Sequence, residues 1–226
     1  MKIIWLGQAG FLLEKAGKKI MVDPYLSDSC GKANPKSWRR TPLDERFLAV
    51  KPDVIVLTHD HADHTDKETL AHFLTEDSGV LVLASKNAWN TARTFGGNNN
   101  YVQFNRHTRW TFERITFTAV KAEHSDNEAI GVIVDDGDKK FYFTGDTLYN
   151  TELFDDIPDG IDTVFLPING RGNNMNAHDA VLFAEKVGAK YAVPVHFGMF
   201  DELKGDVFTA KNRVIPTAFE EIKPEG

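Results

Sequence analysis

The sequence predicts an α+β protein in which two β-sheets pack face to face and helices cover their outer surfaces. Short apolar runs of strand length dominate the chain, and segments of helical periodicity follow them in both halves. Strands come first and strand–helix alternation follows, and this order occurs twice, which is typical of two sheets flanked by helices. No polar linker or internal repeat divides the 226 residues, so a single domain over residues 1–226 is expected.

The first strands are expected within residues 2–25, where short apolar runs are joined by tight turns. Gly17 separates "FLLEK" from "KIMVD" and predicts a hairpin between them. Residues 26–46 are polar, rich in turn formers and aperiodic, which predicts a long loop. Loops of this length in a compact domain are usually functional or mobile.

Two strands buried on both faces are predicted next, in the continuous apolar runs "DVIVL" and "VLVLAS". A helix is expected after each of them. In residues 65–74 the apolar stripe has helical spacing, and Thr65 with Glu68 forms a capping box at its start. Residues 86–95 form the second expected helix, which ends at a pair of glycines.

The second half repeats this order. Residues 101–125 alternate with a period close to two and predict further strands, and a hairpin is expected to turn at Asp136 and Gly137. The stretch "TVFLPI" predicts a strand, and a loop rich in glycine and asparagine follows it. A helix is expected between Asn176 as N-cap and Gly188, and "YAVPVH" predicts a last strand.

The composition indicates a soluble, cytoplasmic protein. The formal net charge is −7 and the pI about 5.6, which does not favour nucleic acid or an anionic membrane as partner. The single cysteine, Cys30, excludes an intrachain disulfide, and the N-terminal residues lack the layout of a secretory signal. No apolar run approaches the ~20 residues that span a bilayer. Assembly into a homo-oligomer is left open.

Metal-ligating side chains are concentrated immediately after the strand "DVIVL". They are His59, His61, Asp63 and His64. Residues two apart on an extended segment point to the same side, so the two leading histidines can bind one metal while a turn brings the other two residues to a second. Imidazole and carboxylate ligands suit Zn²⁺, Mn²⁺ or Fe²⁺. The alternative is a solvated loop at the start of a helix, capped by Thr65 or Asp66.

Three further residues of metal-ligating type occupy an equivalent position, each directly after a predicted strand. They are His124, Asp146 and His196. A metal site built from several strand ends on a rigid scaffold needs this arrangement. Each residue alone is more often a hydrogen-bonded structural residue, but together they support the first motif.

On these motifs the chain resembles the metallo-β-lactamase superfamily over nearly its whole length. The matching stretches are "GQAGFLLE", "VDPY", "THDHADH", "EHS", "GDT" and "PVHFGMF". The resemblance implies a four-layer αββα sandwich with a dinuclear site. It assigns His59, His61 and His124 to one divalent metal. Asp63, His64 and His196 would bind the second, and Asp146 would bridge both. Asp23 resembles the aspartate that supports the metal histidines, with a plain turn residue as the alternative.

The resemblance implies hydrolysis by a metal-activated water, with Asp63 and His196 as catalytic residues and Asp63 as acceptor of the water's proton. Residues 166–200 are similar to the L-ascorbate-6-phosphate lactonase branch, so the expected substrate is a small anionic lactone or phosphoester. The alternatives are a nuclease of the ribonuclease Z kind, which needs a basic surface, and a metal-bound protein without turnover. Redox di-iron relatives carry a glutamate where this chain has His61.

Substrate contacts are expected in the loop "NGRGNNMN". Arg171 presents a fork of donors suited to phosphate or carboxylate, and Asn173 and Asn174 lie beside it. A solvated loop arginine is the alternative. In the long early loop, Trp38 with Arg39 and Arg40 would form either a lid over the substrate or a surface contact between subunits.

Overall fold

Two six-stranded β-sheets stack face to face in the computed structural model, which describes residues 1–223. The first sheet contains, in spatial order, β1 (Lys2–Gly7), β2 (Gly10–Lys15), β3 (Lys18–Val22), β4 (Val54–Leu57), β5 (Leu81–Ala84) and β6 (Asn100–Gln103). Its first three strands are antiparallel and its last four run parallel to one another. The hairpin predicted at Gly17 is confirmed.

The second sheet has the same number of strands and a mixed order. Its members are β7 (Arg109–Phe112), β8 (Ile115–Lys121), β9 (Ile130–Asp135), β10 (Lys140–Phe143), β11 (Thr163–Pro167) and β12 (Tyr191–Val195). Strands β7 to β10 are antiparallel, and β10, β11 and β12 are parallel. The hairpin predicted at Asp136 and Gly137 joins β9 to β10.

Helices lie outside both sheets, which confirms the predicted α+β class and the αββα sandwich. They are α1 (Ser29–Ala33), α2 (Lys67–Phe73), α3 (Lys86–Ala92) and α4 (Ala177–Val187). Asn176 caps the start of α4 and Gly188 adopts the left-handed conformation after its end, as predicted. No helix among residues 1–223 combines the length and the apolar character that crossing a membrane requires.

Two local predictions were wrong. The segment predicted as a plain loop, residues 26–46, contains α1 and two 3₁₀ turns, at Pro35–Ser37 and Glu45–Phe47. The N-cap of α2 is Asp66, whose side chain accepts hydrogen bonds from two backbone N–H groups of the first turn. Thr65 does not cap the helix because its hydroxyl donates instead to the carbonyl of His59, at 2.6 Å.

The alternation of side chains along β4 shows how the layers are filled. Val54 and Val56 enter the core between the two sheets, while Ile55 and Leu57 face the layer that α2 and α3 cover. All four are fully buried, which explains why this strand is continuously apolar. A third apolar cluster fills the space between the second sheet and α4.

The strand directions place many loop residues at one edge. In the first sheet β1, β3 and β4 run the same way, so Gln8, Asp23 and the residues after Leu57 all follow strand ends at that edge. In the second sheet β8, β10, β11 and β12 share a direction. The segments that follow their carboxyl ends therefore meet the loops of the first sheet.

Candidate metal centre

The first group of metal-ligating side chains lies where the loop after β4 meets the loops after β8 and β10. Its members are His59, His61, His124 and Asp146, each of which offers one ligand atom within 4.8 Å of the others. The three imidazole rings are packed against one another, with ring centroids 4.5–4.7 Å apart. Three of the four side chains are buried, and His61 is partly open to solvent. The structure therefore brings together the residues assigned to one metal and the residue assigned to the bridge.

The second group is formed by Asp63, His64 and His196, whose ligand atoms again lie within 4.8 Å of one another. Asp146 lies beside this group as well. Its Oδ1 is 3.2 Å from Nε2 of His64, and its Oδ2 is 3.1 Å from Nε2 of His196. One carboxylate is thus shared by both groups, as a bridging ligand requires.

Buried ring nitrogens and oxygens without hydrogen-bond partners show that these residues fit a metal. The unpartnered atoms at this site include Nε2 of His59 and Nε2 of His124. Nε2 of His64 and Oδ1 of Asp146 lie 3.2 Å apart and have no hydrogen bond to any other group among residues 1–223. Buried polar atoms are almost always hydrogen-bonded, so a cluster of unpartnered ones needs a reason. A divalent cation supplies it, because imidazole and carboxylate are the ligands that Zn²⁺, Mn²⁺ and Fe²⁺ accept.

Asp23 stands behind the histidines. Its Oδ2 is 2.8 Å from Nδ1 of His64 and accepts a hydrogen bond from the hydroxyl of Thr58, while its Oδ1 accepts from the backbone N–H of Thr58. The same hydroxyl lies 3.0 Å from Nδ1 of His59. Asp23, His59 and His64 also form a third group of potential ligands. Both carboxylate oxygens of Asp23 already have hydrogen-bond partners, which favours a role in fixing the orientation of the rings.

The electrostatics of the site divide its histidines into two kinds. Burial lowers the pKa of His59 well below its usual value, and burial also lowers the pKa of His124. Burial opposes protonation of His64 too, but three surrounding carboxylates outweigh it and raise its pKa well above the usual value. In the same way Asp146 and Asp63 raise the pKa of His196 to about 10.

The pKa values of the carboxylates of Asp146 and Asp63 are shifted in the opposite direction, downwards. Burial disfavours ionisation of Asp146, but the charges of His196 and His64 outweigh burial and hold its pKa well below the usual value. His64 and His196 likewise hold the pKa of Asp63 below its usual range, against the effect of burial. The carboxylates are therefore ionised at neutral pH and available to a cation.

Two amide side chains that sequence reasoning missed complete the surroundings of His196. Gln8, 1% exposed, donates from Nε2 to Oδ2 of Asp63 at 2.7 Å, and the same nitrogen lies 3.0–3.1 Å from both ring nitrogens of His196. Asn169 lies 2.9 Å from Nδ1 of that ring. Both amides follow a strand, β1 and β11, which was the available signal. Amides are also common in turns, so the signal was weak.

A cavity of about 340 Å³ opens onto the site. Its lining includes His61, Asp63, Asp146, His196, Gln8, Asn169, Asn174, Arg171, Gly172, Lys36, Ser37, Phe197, Phe200 and Asp201. Arg171 is among these lining residues, and its contact with a substrate stays a prediction. Asn174 is buried and donates to Oδ2 of Asp146 at 2.9 Å, so it supports a metal-ligating carboxylate. Asn173, also predicted as a substrate contact, is exposed and is not among the residues that line the cavity.

The long early loop reaches this cavity through Lys36 and Ser37 rather than through the three residues after them. Arg39 is held inside the chain, where Nη1 donates to the carbonyl of Tyr25 and Nε to that of Thr41, both at 2.8 Å. Trp38 is 47% exposed, and the guanidinium of Arg40 lies 4.9 Å from the centre of its ring. Arg39 therefore stabilises the conformation of this loop through hydrogen bonds to backbone carbonyls.

Comparisons with known proteins agree with this geometry. The family model described as the beta-lactamase superfamily domain matches residues 18–197. A UPF0173 metal-dependent hydrolase of Carboxydothermus hydrogenoformans is 31% identical, over 99% of this chain and 97% of that protein. A second one, of Geobacillus thermodenitrificans, is 30% identical over 100% and 94%. The solved structure of Igni18, a metallo hydrolase of Ignicoccus hospitalis, shares the fold with a TM-score of 0.78 at 19% identity, over 98% of this chain and 97% of that one.

Proposed function

The chain belongs to the beta-lactamase superfamily, and from this premise we propose that it is a metal-dependent hydrolase of small anionic lactones or phosphoesters. The observation that carries the proposal is the convergence of seven potential metal ligands beside one cavity, which His61, Asp63, Asp146 and His196 line, with unpartnered buried atoms among the seven. Relatives named metal-dependent hydrolases, at about 30% identity over nearly the full length, support the reaction class.

We propose that two divalent ions are held here, Zn²⁺ or Mn²⁺ or Fe²⁺. The first would be bound by His59, His61 and His124, and the second by Asp63, His64 and His196, with Asp146 shared. Ions held by these residues would supply Lewis-acid polarisation of the scissile group and would lower the pKa of water toward ~7.

Asp63 is the residue best placed to accept the proton of the attacking water. It lines the cavity and its side chain is only partly buried, so it can reach a water beside the substrate. The amide of Gln8 donates to Oδ2 of Asp63 at 2.7 Å and so fixes the orientation of the carboxylate. The charges of His64 and His196 outweigh burial and hold its pKa below the usual range, so the carboxylate is ionised.

The cavity walls favour a small substrate that carries a negative charge. Lys36 and Arg171 come from different loops, line the same cavity and form no ion pair among the described residues. Phe197 and Phe200 add an apolar surface to it. A volume of about 340 Å³ lies at the lower end of the ~300–1,000 Å³ usual for ligand sites. The phosphate or carboxylate of a substrate would bind the side chains of Lys36 and Arg171. Its carbon skeleton would pack against the rings of Phe197 and Phe200.

The choice between a lactone and a phosphoester rests on the resemblance of residues 166–200 to the lactonase branch. This segment contains Asn169, Arg171 and Asn174, which line the cavity, and ends beside His196. A phosphorylated sugar lactone combines the hydrolysable ring and the anionic group in one molecule. Phosphodiesters remain the second member of the proposed substrate class because the same ions stabilise charge on phosphorus.

The test is a metal analysis combined with a turnover screen on the metal-loaded protein. The panel contains a phosphorylated sugar lactone, its unphosphorylated counterpart, bis-p-nitrophenyl phosphate and a tRNA precursor. We expect two ions per chain and turnover of an anionic small molecule. Preferred cleavage of the tRNA precursor would favour a nuclease, and full metal loading without any turnover would favour a binding protein.

A further inference from the structure

We propose that Asn169 is a positioning residue for His196: its side-chain oxygen accepts the Nδ1–H of the imidazole and so keeps Nε2 directed at the metal. This inference rests on the proposed function, because it concerns the second of the two proposed metal ions. It assigns a role to a residue that lies outside the seven metal-ligating side chains.

The two nitrogens of the His196 ring have different surroundings. Nε2 lies 3.1 Å from Oδ2 of Asp146 and 3.3 Å from Oδ2 of Asp63, which places it among the other ligand atoms. Nδ1 lies 2.9 Å from the side-chain amide of Asn169, of which the nitrogen Nδ2 is the atom that faces the ring. Nε2 is therefore the nitrogen that faces the metal, and Nδ1 faces Asn169.

The chemistry of imidazole then fixes what Asn169 must do. A neutral imidazole has one N–H, and the nitrogen that binds a metal is the one with the free lone pair. With Nε2 on the metal, Nδ1 carries the hydrogen and needs an acceptor. The amide of Asn169 offers its oxygen after a half-turn about Cβ–Cγ, which exchanges oxygen and nitrogen with little other movement.

Gln8 does not compete for this role. Its Nε2 lies 3.1 Å from Nδ1, but the same nitrogen is only 2.7 Å from Oδ2 of Asp63, and an ionised carboxylate accepts a hydrogen bond and cannot donate one. The amide of Gln8 must therefore present its nitrogen here. That leaves the oxygen of Asn169 as the acceptor for Nδ1–H.

The other imidazole of this metal group has the same kind of support. Nδ1 of His64 lies 2.8 Å from Oδ2 of Asp23. The carboxylate of Asp23 thus fixes the orientation of the His64 ring, as the amide of Asn169 would fix that of His196. Both partners of the amide contact are fixed by the backbone. Asn169 pairs with Asn176 in an isolated β-bridge, and the backbone N–H of His196 donates to the carbonyl of Gln8 at 2.9 Å.

A direct test is the protonation state of the ring. The wild-type protein is labelled with ¹⁵N-histidine, loaded with Zn²⁺ and examined by long-range ¹H–¹⁵N NMR, with His196 assigned from its absence in His196→Gln. We expect Nδ1 to carry the hydrogen. A hydrogen on Nε2 would overturn the proposal, and this measurement needs no variant at position 169.

Variants then test the contact itself. Asn169→Leu keeps the size of the side chain and removes the acceptor, Asn169→Asp keeps an acceptor, and Asn90→Leu replaces an exposed asparagine on α3 as a control. Zn²⁺ binding is measured by calorimetry. The binding event that is lost or weakened in His196→Gln is assigned to the second ion, which His196 would bind. We expect Asn169→Leu to lower the affinity for the second ion about ten- to a hundredfold and to leave the affinity for the first ion within about twofold of wild type. Asn169→Asp should restore most of the affinity.

The outcomes separate this inference from the proposed function. If the wild-type protein binds two ions and Asn169→Leu binds both with unchanged affinity, the positioning role is wrong and the hydrolase proposal stands. A wild-type protein that binds no ion through His196 overturns both. Equal weakening of both ions by Asn169→Leu would mean a general structural role and would also overturn the proposal.

Discussion

Gln8 and Asp63 are 55 positions apart in the sequence, yet Nε2 of Gln8 donates a 2.7 Å hydrogen bond to Oδ2 of Asp63. Gln8 lies in the tight turn between β1 and β2, with a backbone φ of 52°. Its carbonyl accepts hydrogen bonds from the backbone N–H of His196 and from the indole of Trp5. One turn of the first sheet is thereby joined to site residues that follow strands of both sheets.

We predict that Gln8→Leu lowers kcat about ten- to a hundredfold in the metal-loaded enzyme and changes KM little. The substitution keeps the side chain's size and removes the donor to a carboxylate, a bond of the charge-assisted kind worth about 1.5–3 kcal/mol. Asp63 then loses its fixed orientation. Steady-state kinetics on bis-p-nitrophenyl phosphate measure the effect, and Gln103→Leu, at an exposed position of β6, is the control. Unchanged kcat in Gln8→Leu would remove Gln8 from the site.

We predict that Asp63→Ala abolishes turnover without unfolding the protein. The variant loses a metal ligand and the proposed proton acceptor, but Asp63 belongs to a loop and contributes no core volume. Activity should fall by at least about a thousandfold while the melting temperature of the metal-free protein changes by no more than a few degrees. Asp77→Ala, at an exposed loop position after α2, is the control. Turnover within a few-fold of wild type would show that the mechanism is wrong.

The sequence could predict that the candidate ligands follow strand ends because short apolar runs, continuous or alternating, indicate strands and therefore their ends. His124, Asp146 and His196 each follow such an end, and the dense motif after β4 supplies the rest. The contacts behind the ligands were not predictable in this way. Gln8 meets His196 across 188 positions, and only the packing of the two sheets brings them together. Local rules also favoured Thr65 with Glu68 as the capping box of α2, whereas the N-cap is Asp66. A tertiary contact, the hydrogen bond from Thr65 to His59, decides between Thr65 and Asp66.

We predict that Arg171→Ala raises KM for an anionic substrate about three- to tenfold and leaves a neutral ester almost unaffected. Arg171 lines the cavity and forms no ion pair with any residue from 1 to 223, so its charge is available to a substrate phosphate or carboxylate. Solvent screening of this exposed side chain keeps the effect moderate. Initial rates on bis-p-nitrophenyl phosphate and p-nitrophenyl acetate provide the comparison.

The control for Arg171 is Arg114→Ala. Arg114 is exposed in the turn between β7 and β8, at the end of β8 opposite to His124. Lys36→Ala should reproduce the effect of Arg171→Ala from the other loop of the cavity. Equal changes for the charged and the neutral substrate would show that Arg171 does not bind the anion.

His64 and His196 lie among carboxylates whose charge keeps both rings protonated at pH 7 in the protein without metal. Their pKa values are raised, that of His196 to about 10, whereas burial lowers the pKa of His59 and His124. A metal binds only the neutral imidazole, so the second ion must displace protons and the first need not.

We therefore predict that binding of the second Zn²⁺ at pH 7 releases between about one and two protons. The affinity for this ion should fall by up to about tenfold per released proton for each pH unit below 7. Calorimetry in buffers of different ionisation enthalpy measures the release, since the observed enthalpy changes in proportion to the protons taken up by the buffer. His196→Gln should reduce the number by about one if it still binds the ion. An enthalpy independent of the buffer would mean that both rings are already neutral, and the electrostatic description of this group would be wrong.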